Sequence, residues 1–165
     1  MSLSRILAVF TAFFLLLTIA CERRGSGNSE DERAIRSSVE NYIDAFNKHD
    51  AKALAEFWTE NALYINPETG ETVKGREAIR QQFEELFEDS DDARISINVL
   101  SLRFPEADKA VENGIVTLIK DGRDKTEQAY RVTYVKTHGK WLIDQAREVY
   151  INAQPKEDEH LKELA

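Results

Sequence analysis

Apolar residues after residue 28 recur at i, i+4, i+7, i+8 and i+11, the spacing of one face of a helix about four turns long. This face comprises Ile35, Val39, Tyr42, Ile43 and Phe46. Ser29 and Glu32 precede the repeat at the spacing of a capping box, so we expect the helix to begin near Ser29. Asp50 is suited to cap a short second helix that runs through Trp58.

A loop or hairpin separates the second helix from a third. Pro67 and Gly70 follow Tyr64 closely, and both residue types favour turns. Helical spacing resumes from Gly75, and the new apolar face comprises Ile79, Phe83, Leu86 and Phe87. The acidic run at residues 88–92 is expected to end this helix.

The second half of the chain alternates with the period of two that is typical of β-strands. The alternation changes phase between Val99 and Leu100, which predicts a β-bulge and a sharply bent sheet. The predicted strands cover residues 95–104, 110–119, 126–137 and 140–151. Helices followed by antiparallel strands indicate the α+β class.

The N-terminus carries a separate pattern. Uncharged residues continue from the position after Arg5 to Ala20. As a helix this stretch would span about 22 Å, which is short of the ~30 Å hydrocarbon core. A positive start, a short apolar stretch and small residues at its end are typical of a secretory signal peptide.

Cys21 is the only cysteine of the chain, and it follows that apolar stretch directly. The segment from Leu17 to Cys21 resembles a bacterial lipoprotein box. The resemblance implies removal of residues 1–20 and lipidation of Cys21, which would hold the protein on a membrane of the bacterial cell envelope, outside the cytoplasm. A plain signal peptide with an incidental Cys21, or an uncleaved anchor, are the alternatives.

The composition limits the remaining possibilities. A chain of 165 residues has room for one well-cored domain. Its net charge of −8 argues against a nucleic-acid partner. We therefore expect a signal peptide over residues 1–20, a lipidated cysteine and flexible tether over 21–29, the folded domain over 30–152, and a charged tail over 153–165.

Four segments of the predicted domain resemble the SnoaL-like group of the NTF2-like superfamily. They are residues 45–50, 57–64, 75–79 and 139–143. The resemblance implies a cone in which three N-terminal helices pack on a bent antiparallel sheet with an open mouth. Members of the superfamily include isomerases, cyclases, hydrolases, binding proteins and self-association domains, so the resemblance does not select one function.

Strand pairing predicts part of the cavity inside such a cone. A two-residue turn at His138-Gly139 would pair residues whose numbers sum to 277. The side of the sheet that carries Trp141 and Ile143 would then also carry Tyr130, Gln145 and Arg147. As an alternative, Arg147 would lie at the rim, in an ion pair with an acid such as Glu112.

The leading hypothesis is a domain that binds a small, partly apolar molecule, without catalysis, a metal or a cofactor. The expected ligand-binding residues are Trp58, Tyr64, Tyr130, Gln145 and Arg147. His49, His138 and His160 are too dispersed to suggest a metal site.

Two alternatives remain open. The first is a cofactor-independent acid–base isomerase or cyclase similar to ketosteroid isomerase. Its carboxylate would be Glu112 or Asp144, the hydroxyl donor would be Tyr42, Tyr64 or Tyr130, and no catalytic residue is assigned. The second is a homodimer formed through the outer sheet face. That face would include Ala129, Thr133, Val135 and Leu142.

Overall fold

The computed structural model describes residues 26–65, 70–120, 122 and 124–149. Its helices are α1 (Ser26–Asn47), α2 (Ala51–Ala55) and α3 (Arg76–Asp89). Its strands are β1 (Trp58–Ile65), β2 (Thr72–Lys74), β3 (Arg94–Glu106), β4 (Lys109–Lys120), β5 (Asp124–Thr137) and β6 (Lys140–Val149). The predicted signal segment, Cys21 and the charged tail lie outside these residues. Within the described part, no helix has both the length and the apolar character needed to cross a membrane.

The three helices form where the sequence predicts them, with different ends. The first begins at Ser26, so Ser29 lies inside it and the predicted capping box is wrong. This helix also overlaps the last residues of the predicted tether. Asp50 is confirmed as a cap, since its carboxylate accepts a hydrogen bond from the backbone N–H of Ala53 at 2.8 Å. The second helix ends at Ala55 because Trp58 begins a strand.

The α+β class is confirmed, with a sheet that is mixed instead of wholly antiparallel. The strand order is β2-β1-β6-β5-β4-β3, and α1 and α3 pack against this sheet. The first strand pairs antiparallel with β2, as the hairpin interpretation predicts, but it pairs parallel with β6. A parallel pair requires a long connection, and the intervening α3 and β3–β5 provide it.

The predicted bulge in β3 is confirmed. Its register against β4 shifts between Val99 and Ser101, and the intervening Leu100 side chain is 63% exposed. A bulge bends its strand and increases the local twist. The sheet therefore curves around the two longer helices.

A second bulge, in β6, overturns part of the predicted strand pairing. The turn at His138-Gly139 is confirmed: both residues have positive φ, as a type I′ turn requires, and Thr137 pairs with Lys140. The predicted register continues to Tyr134 and Ile143 and then shifts by one residue.

The inward orientation predicted for Gln145 and Arg147 is therefore wrong. Beyond the shift, Ala146 is buried, Arg147 is exposed and Glu148 faces the interior. The physical reason is the extra residue at Asp144, because a slip of one position moves every following side chain to the other face.

The core lies between the helices and the concave face of the sheet. Its largest cluster includes Ile35, Trp58, Ile79, Tyr134, Trp141 and Ile143. At the edge of this cluster the Asp31 carboxylate accepts hydrogen bonds from the Trp141 indole N–H at 2.9 Å and the Lys136 ammonium at 2.6 Å. These bonds fasten the first helix to the β5–β6 hairpin.

Candidate functional site

A cavity of about 610 Å³ lies between α1, α3 and the concave face of the sheet. Its walls are mainly apolar and include Val39, Phe83, Leu86, Ile97, Val116 and Leu118. Ligand sites are typically concave and mostly apolar, with a few placed polar groups. The cavity has this character, and its polar groups define the candidate site.

Glu112 is the most deeply buried of these polar groups. It lies on β4 and is only 1% exposed. Its Oε1 accepts hydrogen bonds from the hydroxyls of Tyr130 at 2.8 Å and Tyr134 at 3.4 Å. Its Oε2 is also buried and has no hydrogen-bond partner among the described residues. Two tyrosines thus hold one oxygen of this carboxyl, while the other oxygen is left without a hydrogen bond from any residue within the described ranges.

Burial governs protonation at this group. It raises the pKa of the Glu112 carboxyl above its ordinary value, although the two tyrosine hydrogen bonds and the charge of Arg36 act in the opposite direction. Burial, followed by the negative charge of Glu112, raises the pKa of Tyr130 and of Tyr134. Both tyrosines therefore remain hydrogen-bond donors, and the carboxyl stays protonated to a higher pH than an exposed glutamate.

Gly114 allows Tyr130 to reach Glu112. Gly114 on β4 and Tyr130 on β5 are register partners. A Cβ atom at Gly114 would lie 2.5 Å from the Tyr130 hydroxyl oxygen and 2.5 Å from the carbonyl oxygen of Asn98. Both distances are shorter than real Cβ contacts, so a larger residue would displace the tyrosine ring or β3. The phenol can lie back across β4 because this position has no side chain.

Trp58, Tyr64 and Tyr130 line the cavity, in agreement with their predicted orientation. The rings of Trp58 and Tyr64 meet edge to face, with centroids 6.5 Å apart. Burial, and then the charge of Glu148, raise the pKa of Tyr42. The buried Trp58 indole N–H has no partner of hydrogen-bond geometry among the described residues. It lies close enough to Tyr42 to oppose the rise in the pKa of that tyrosine. The ligand-binding role of these residues stays a prediction.

Gln145 and Arg147 are not brought to the cavity, for the reason given above. The alternative ion pair between Arg147 and Glu112 is also wrong, because Arg147 is exposed and Glu112 is buried against two tyrosines. Asp144 is absent from the cavity wall, and its carboxylate accepts a hydrogen bond from Thr59 at 3.1 Å. Glu148 takes the inward position that was predicted for Arg147.

Further polar residues lie where the cavity opens. Lys120, Thr126 and Gln128 come from the two strands on either side of the β4–β5 turn, and Gln82 comes from the facing side of α3. These residues were missed in the sequence. Strand alternation could have found one of them, because Lys120 stands at an even spacing from Glu112 on β4.

The histidines do not assemble a metal site in the described ranges. No three His, Cys, Asp or Glu side chains converge there. The His49 ring stacks on Phe87 with centroids 4.5 Å apart, and its Nε2 lies 2.9 Å from the carbonyl oxygen of Ala93. His138 lies in the β5–β6 turn. His160 lies outside the described residues.

Comparison with known proteins agrees with this architecture. A model of the SnoaL-like domain family matches residues 39–142. No curated protein matches the chain. Among solved structures, a domain of unknown function with a cystatin-like fold from Nostoc punctiforme is 24% identical. The match covers 73% of this chain and 77% of that one, with a TM-score of 0.66.

Two other similar structures have names that refer to enzymes. One, named provisionally as a scytalone dehydratase from Novosphingobium aromaticivorans, is 18% identical over 74% of this chain and 85% of that one, with a TM-score of 0.67. The other is a hexachlorocyclohexane dehydrochlorinase from Novosphingobium barchaimii, 21% identical over 74% and 87%, with a TM-score of 0.63. At these identities the similarity establishes the fold, and the predicted cone is confirmed.

Proposed function

Because the chain belongs to the SnoaL-like domain family, we propose that it binds a small, partly apolar molecule in the cavity between α1, α3 and the sheet. The observation that carries this proposal is the Glu112 carboxyl. It is buried in the wall of a mainly apolar cavity, and one of its oxygens has no hydrogen-bond partner in the part of the chain that the structure describes. Buried polar atoms are normally paired. A hydrogen-bonding group on a bound molecule would supply the partner that this oxygen lacks.

The proposed complex divides into an apolar and a polar part. Val116, Leu118 and Ile97 would contact the body of the molecule, and burial of that body supplies the main favourable term. Glu112 would orient it through a hydrogen bond, with Tyr130 and Tyr134 holding the carboxyl in place. A protonated carboxyl would donate to a carbonyl or hydroxyl oxygen of the ligand.

Native mass spectrometry of the protein purified from its host tests this proposal. We expect a co-purified small molecule on the wild type and on Glu106→Gln, a control at an exposed glutamate of β3. We expect about tenfold lower occupancy on Glu112→Gln, because one hydrogen bond in a desolvated site is worth about 1–2 kcal/mol. A molecule retained equally by all three proteins would contradict the role of Glu112.

A second candidate function is proton transfer to or from the bound molecule, by a cofactor-independent isomerase, cyclase or related enzyme. The specific observation in its favour is a carboxyl with a raised pKa that lies 2.8 Å from a tyrosine hydroxyl. General acids and bases work best when their pKa lies near the operating pH. The dehydratase and dehydrochlorinase names of two structurally similar proteins are compatible with this candidate.

Hydrogen exchange on the co-purified molecule separates the two candidates. If Glu112 transfers protons, the wild type will exchange a carbon-bound hydrogen of the molecule for deuterium, and Glu112→Gln will slow that exchange at least a hundredfold. If the protein only binds, neither form will promote exchange. The measurement is made with ligand in excess, so that weaker binding by the variant does not imitate lost chemistry.

We also propose that the domain is anchored to the cell envelope through a lipidated Cys21. The support is the sequence pattern of residues 1–21 alone. Cys21→Ser is expected to move the protein from the membrane fraction to the soluble fraction, while Ser29→Ala leaves it in the membrane fraction. Unchanged membrane association of Cys21→Ser would favour an uncleaved anchor.

Self-association through the outer sheet face is a further proposal. Ala129, Thr133, Val135 and Leu142 are each partly exposed on the side of the sheet that faces away from the cavity. Such a surface would lose water contact in a dimer. Light scattering is expected to give a dimer for the wild type and a monomer for Val135→Arg. A monomeric wild type would contradict the proposal.

A further inference from the structure

Two buried polar atoms in the cavity wall lack a hydrogen bond within the described ranges. One is Glu112 Oε2, on which the proposed function rests, and the other is the indole Nε1 of Trp58. Trp58 lies on β1, is only 3% exposed and lines the cavity. An indole N–H donates a hydrogen bond and cannot accept one. Because buried donors are normally paired, the cavity has a second polar position, and its character is that of a donor.

The other tryptophan of the chain has the partner that Trp58 lacks. The Trp141 indole N–H donates to the Asp31 carboxylate at 2.9 Å. The Tyr42 hydroxyl lies near the Trp58 N–H, but this pair does not have hydrogen-bond geometry. The Tyr42 ring packs edge to face against Phe57, with centroids 5.5 Å apart. This packing restrains the tyrosine, so its hydroxyl does not turn freely toward the indole.

The sheet places the two unpaired positions three strands apart. The strand order β1-β6-β5-β4 separates the backbones of Trp58 and Glu112 by three strand spacings, or roughly 14 Å. Ile143 on β6 pairs with Trp58, and Val132 on β5 pairs with Glu112. Both Ile143 and Val132 line the cavity. Apolar side chains therefore lie between the two polar positions.

We infer that the cavity takes an elongated molecule with an oxygen function toward each end. A carbonyl or ether oxygen accepts from the Trp58 indole, an apolar body lies over Ile143 and Val132, and a second oxygen meets Glu112. This inference rests on the proposed function and adds Trp58 as a residue that selects the ligand. A molecule with one oxygen would leave one of the two buried atoms unpaired, and an ammonium group at Trp58 would place donor against donor.

Indole N–H signals in nitrogen-15 correlated NMR spectra test this contact, because the chain has two tryptophans. The probes, added to dialysed protein, are 2,9-decanedione, its isomer 2,5-decanedione, and 2-decanone. We expect saturating 2,9-decanedione to move the Trp58 signal downfield, since its N–H gains a hydrogen bond. The Trp141 signal is the internal control and should stay in place, because its N–H is already bonded to Asp31. Trp58→Phe assigns the two signals by removing one of them.

Affinities from calorimetry give a second measurement. The wild type should bind 2,9-decanedione about fivefold to tenfold more tightly than 2-decanone, because the second carbonyl gains a hydrogen bond to a buried donor. A second carbonyl that met no donor would be buried unpaired, and it would weaken binding instead. The carbonyls of 2,5-decanedione are too close together to reach both positions, so this isomer should lose the advantage. Trp58→Phe should abolish the preference for the 2,9-isomer.

The outcomes separate this inference from the proposed function. If 2-decanone binding depends on Glu112, while 2,9-decanedione leaves the Trp58 signal in place, the inference is wrong and the proposed function stands. Equal affinity of the wild type for the two isomers would also overturn it. The shift should persist in Tyr42→Phe, and its loss there would mean that the tyrosine hydroxyl is the acceptor. If no probe binds the wild type more tightly than Glu112→Gln, both are contradicted.

Discussion

The deep and open ends of the cavity present charged residues from the same face of β4 in opposite surroundings. At the deep end Glu112 is 1% exposed and two tyrosine hydroxyls hold one of its oxygens. At the open end Lys120 is partly exposed and adjoins a turn. Burial favours the neutral form of the first group, whereas water can solvate the charge of the second. One alternating strand therefore supplies a hydrogen-bonding group and a charge.

The two ends of the cavity also differ in how tightly their side chains are packed. The deep end combines Gly114, the Tyr130 ring and the Glu112 carboxyl in direct contact, so a change at one residue disturbs the others. Beside the β4–β5 turn, by contrast, the described side chains of Lys125 and Thr126 are exposed. We therefore expect substitutions to cost more free energy of unfolding at the deep end, and the predictions below test that gradient.

The largest effect is expected for Gly114→Ala. The new methyl group would overlap both the Tyr130 phenol and the carbonyl oxygen of Asn98. Overpacking of this kind costs roughly 2–3 kcal/mol. Chemical denaturation should show that loss in the wild-type background and about 1 kcal/mol less in a Tyr130→Ala background, where the ring is gone. The same loss in both backgrounds would mean that the whole cost comes from the contact with Asn98 and that the Tyr130 ring contributes none of it.

The second prediction concerns the pH dependence that Glu112 confers. Its pKa in the folded protein is raised above the ordinary 4.5, so the folded state binds more protons than the unfolded state above pH 4.5. Its contribution to stability is thus complete below pH 4.5 and is lost as pH rises through the folded pKa. Each unit of difference between the two pKa values corresponds to about 1.4 kcal/mol.

Denaturation curves at several pH values, for the wild type and Glu112→Gln, measure this contribution. As pH rises, the wild type should lose free energy of unfolding relative to Glu112→Gln. Glu106→Gln, at an exposed position, should run parallel to the wild type. A difference that is constant with pH would mean that the carboxyl has an ordinary pKa and that its burial does not control protonation.

Most of the fold, and part of this site, could be predicted from the sequence. The helices and strands depend on local periodicity, so the spacing from Ile35 to Phe46 and the alternation in β4 were sufficient. Tyr130 was placed correctly because it belongs to β5, whose own alternation is regular. Gln145 and Arg147 were misplaced because Asp144 is an extra residue in β6. Such a bulge arises from the pairing of β6 with β5, and the alternation within β6 alone does not show it.

The Glu112 cluster was harder to foresee for a related reason. Alternation on β4 would have turned Glu112 to the same side as Val116, but it does not show that two tyrosines from β5 meet the carboxyl. The Tyr134 contact joins residues that are two positions apart across the β4–β5 register. Gly114 carried a signal, since a glycine inside a strand often marks a close approach. Which group approaches it depends on tertiary structure.

The third prediction uses a carboxylate whose pKa moves in the opposite direction. Burial alone would raise the pKa of Asp31, but the hydrogen bonds from Lys136 and Trp141 outweigh it and lower that pKa below 3.8. Its contribution to stability is therefore present above pH 3.8 and is lost as pH falls through the folded pKa. Asp31→Asn should cost about 1 kcal/mol at neutral pH, with the loss shrinking in acid.

Measured together, Asp31→Asn and Glu112→Gln should give pH slopes of opposite sign. Glu30→Gln, an exposed neighbour on α1, is the matched control for Asp31 and should change little at any pH. Slopes of the same sign for the two test variants would mean that hydrogen bonding does not outweigh burial at Asp31.

The smallest effect is expected for Lys125→Gln, near the open end. Lys125 and Glu127 form an ion pair at 2.7 Å, but their side chains are 57% and 53% exposed. Water and salt screen such pairs, so the free energy of unfolding should change by less than about 0.5 kcal/mol. The comparison is made by chemical denaturation at low and high salt, with Asp31→Asn alongside. A loss at Lys125 as large as that at Asp31 would contradict the gradient, because an exposed pair would then contribute as much as a carboxylate bonded to a buried indole.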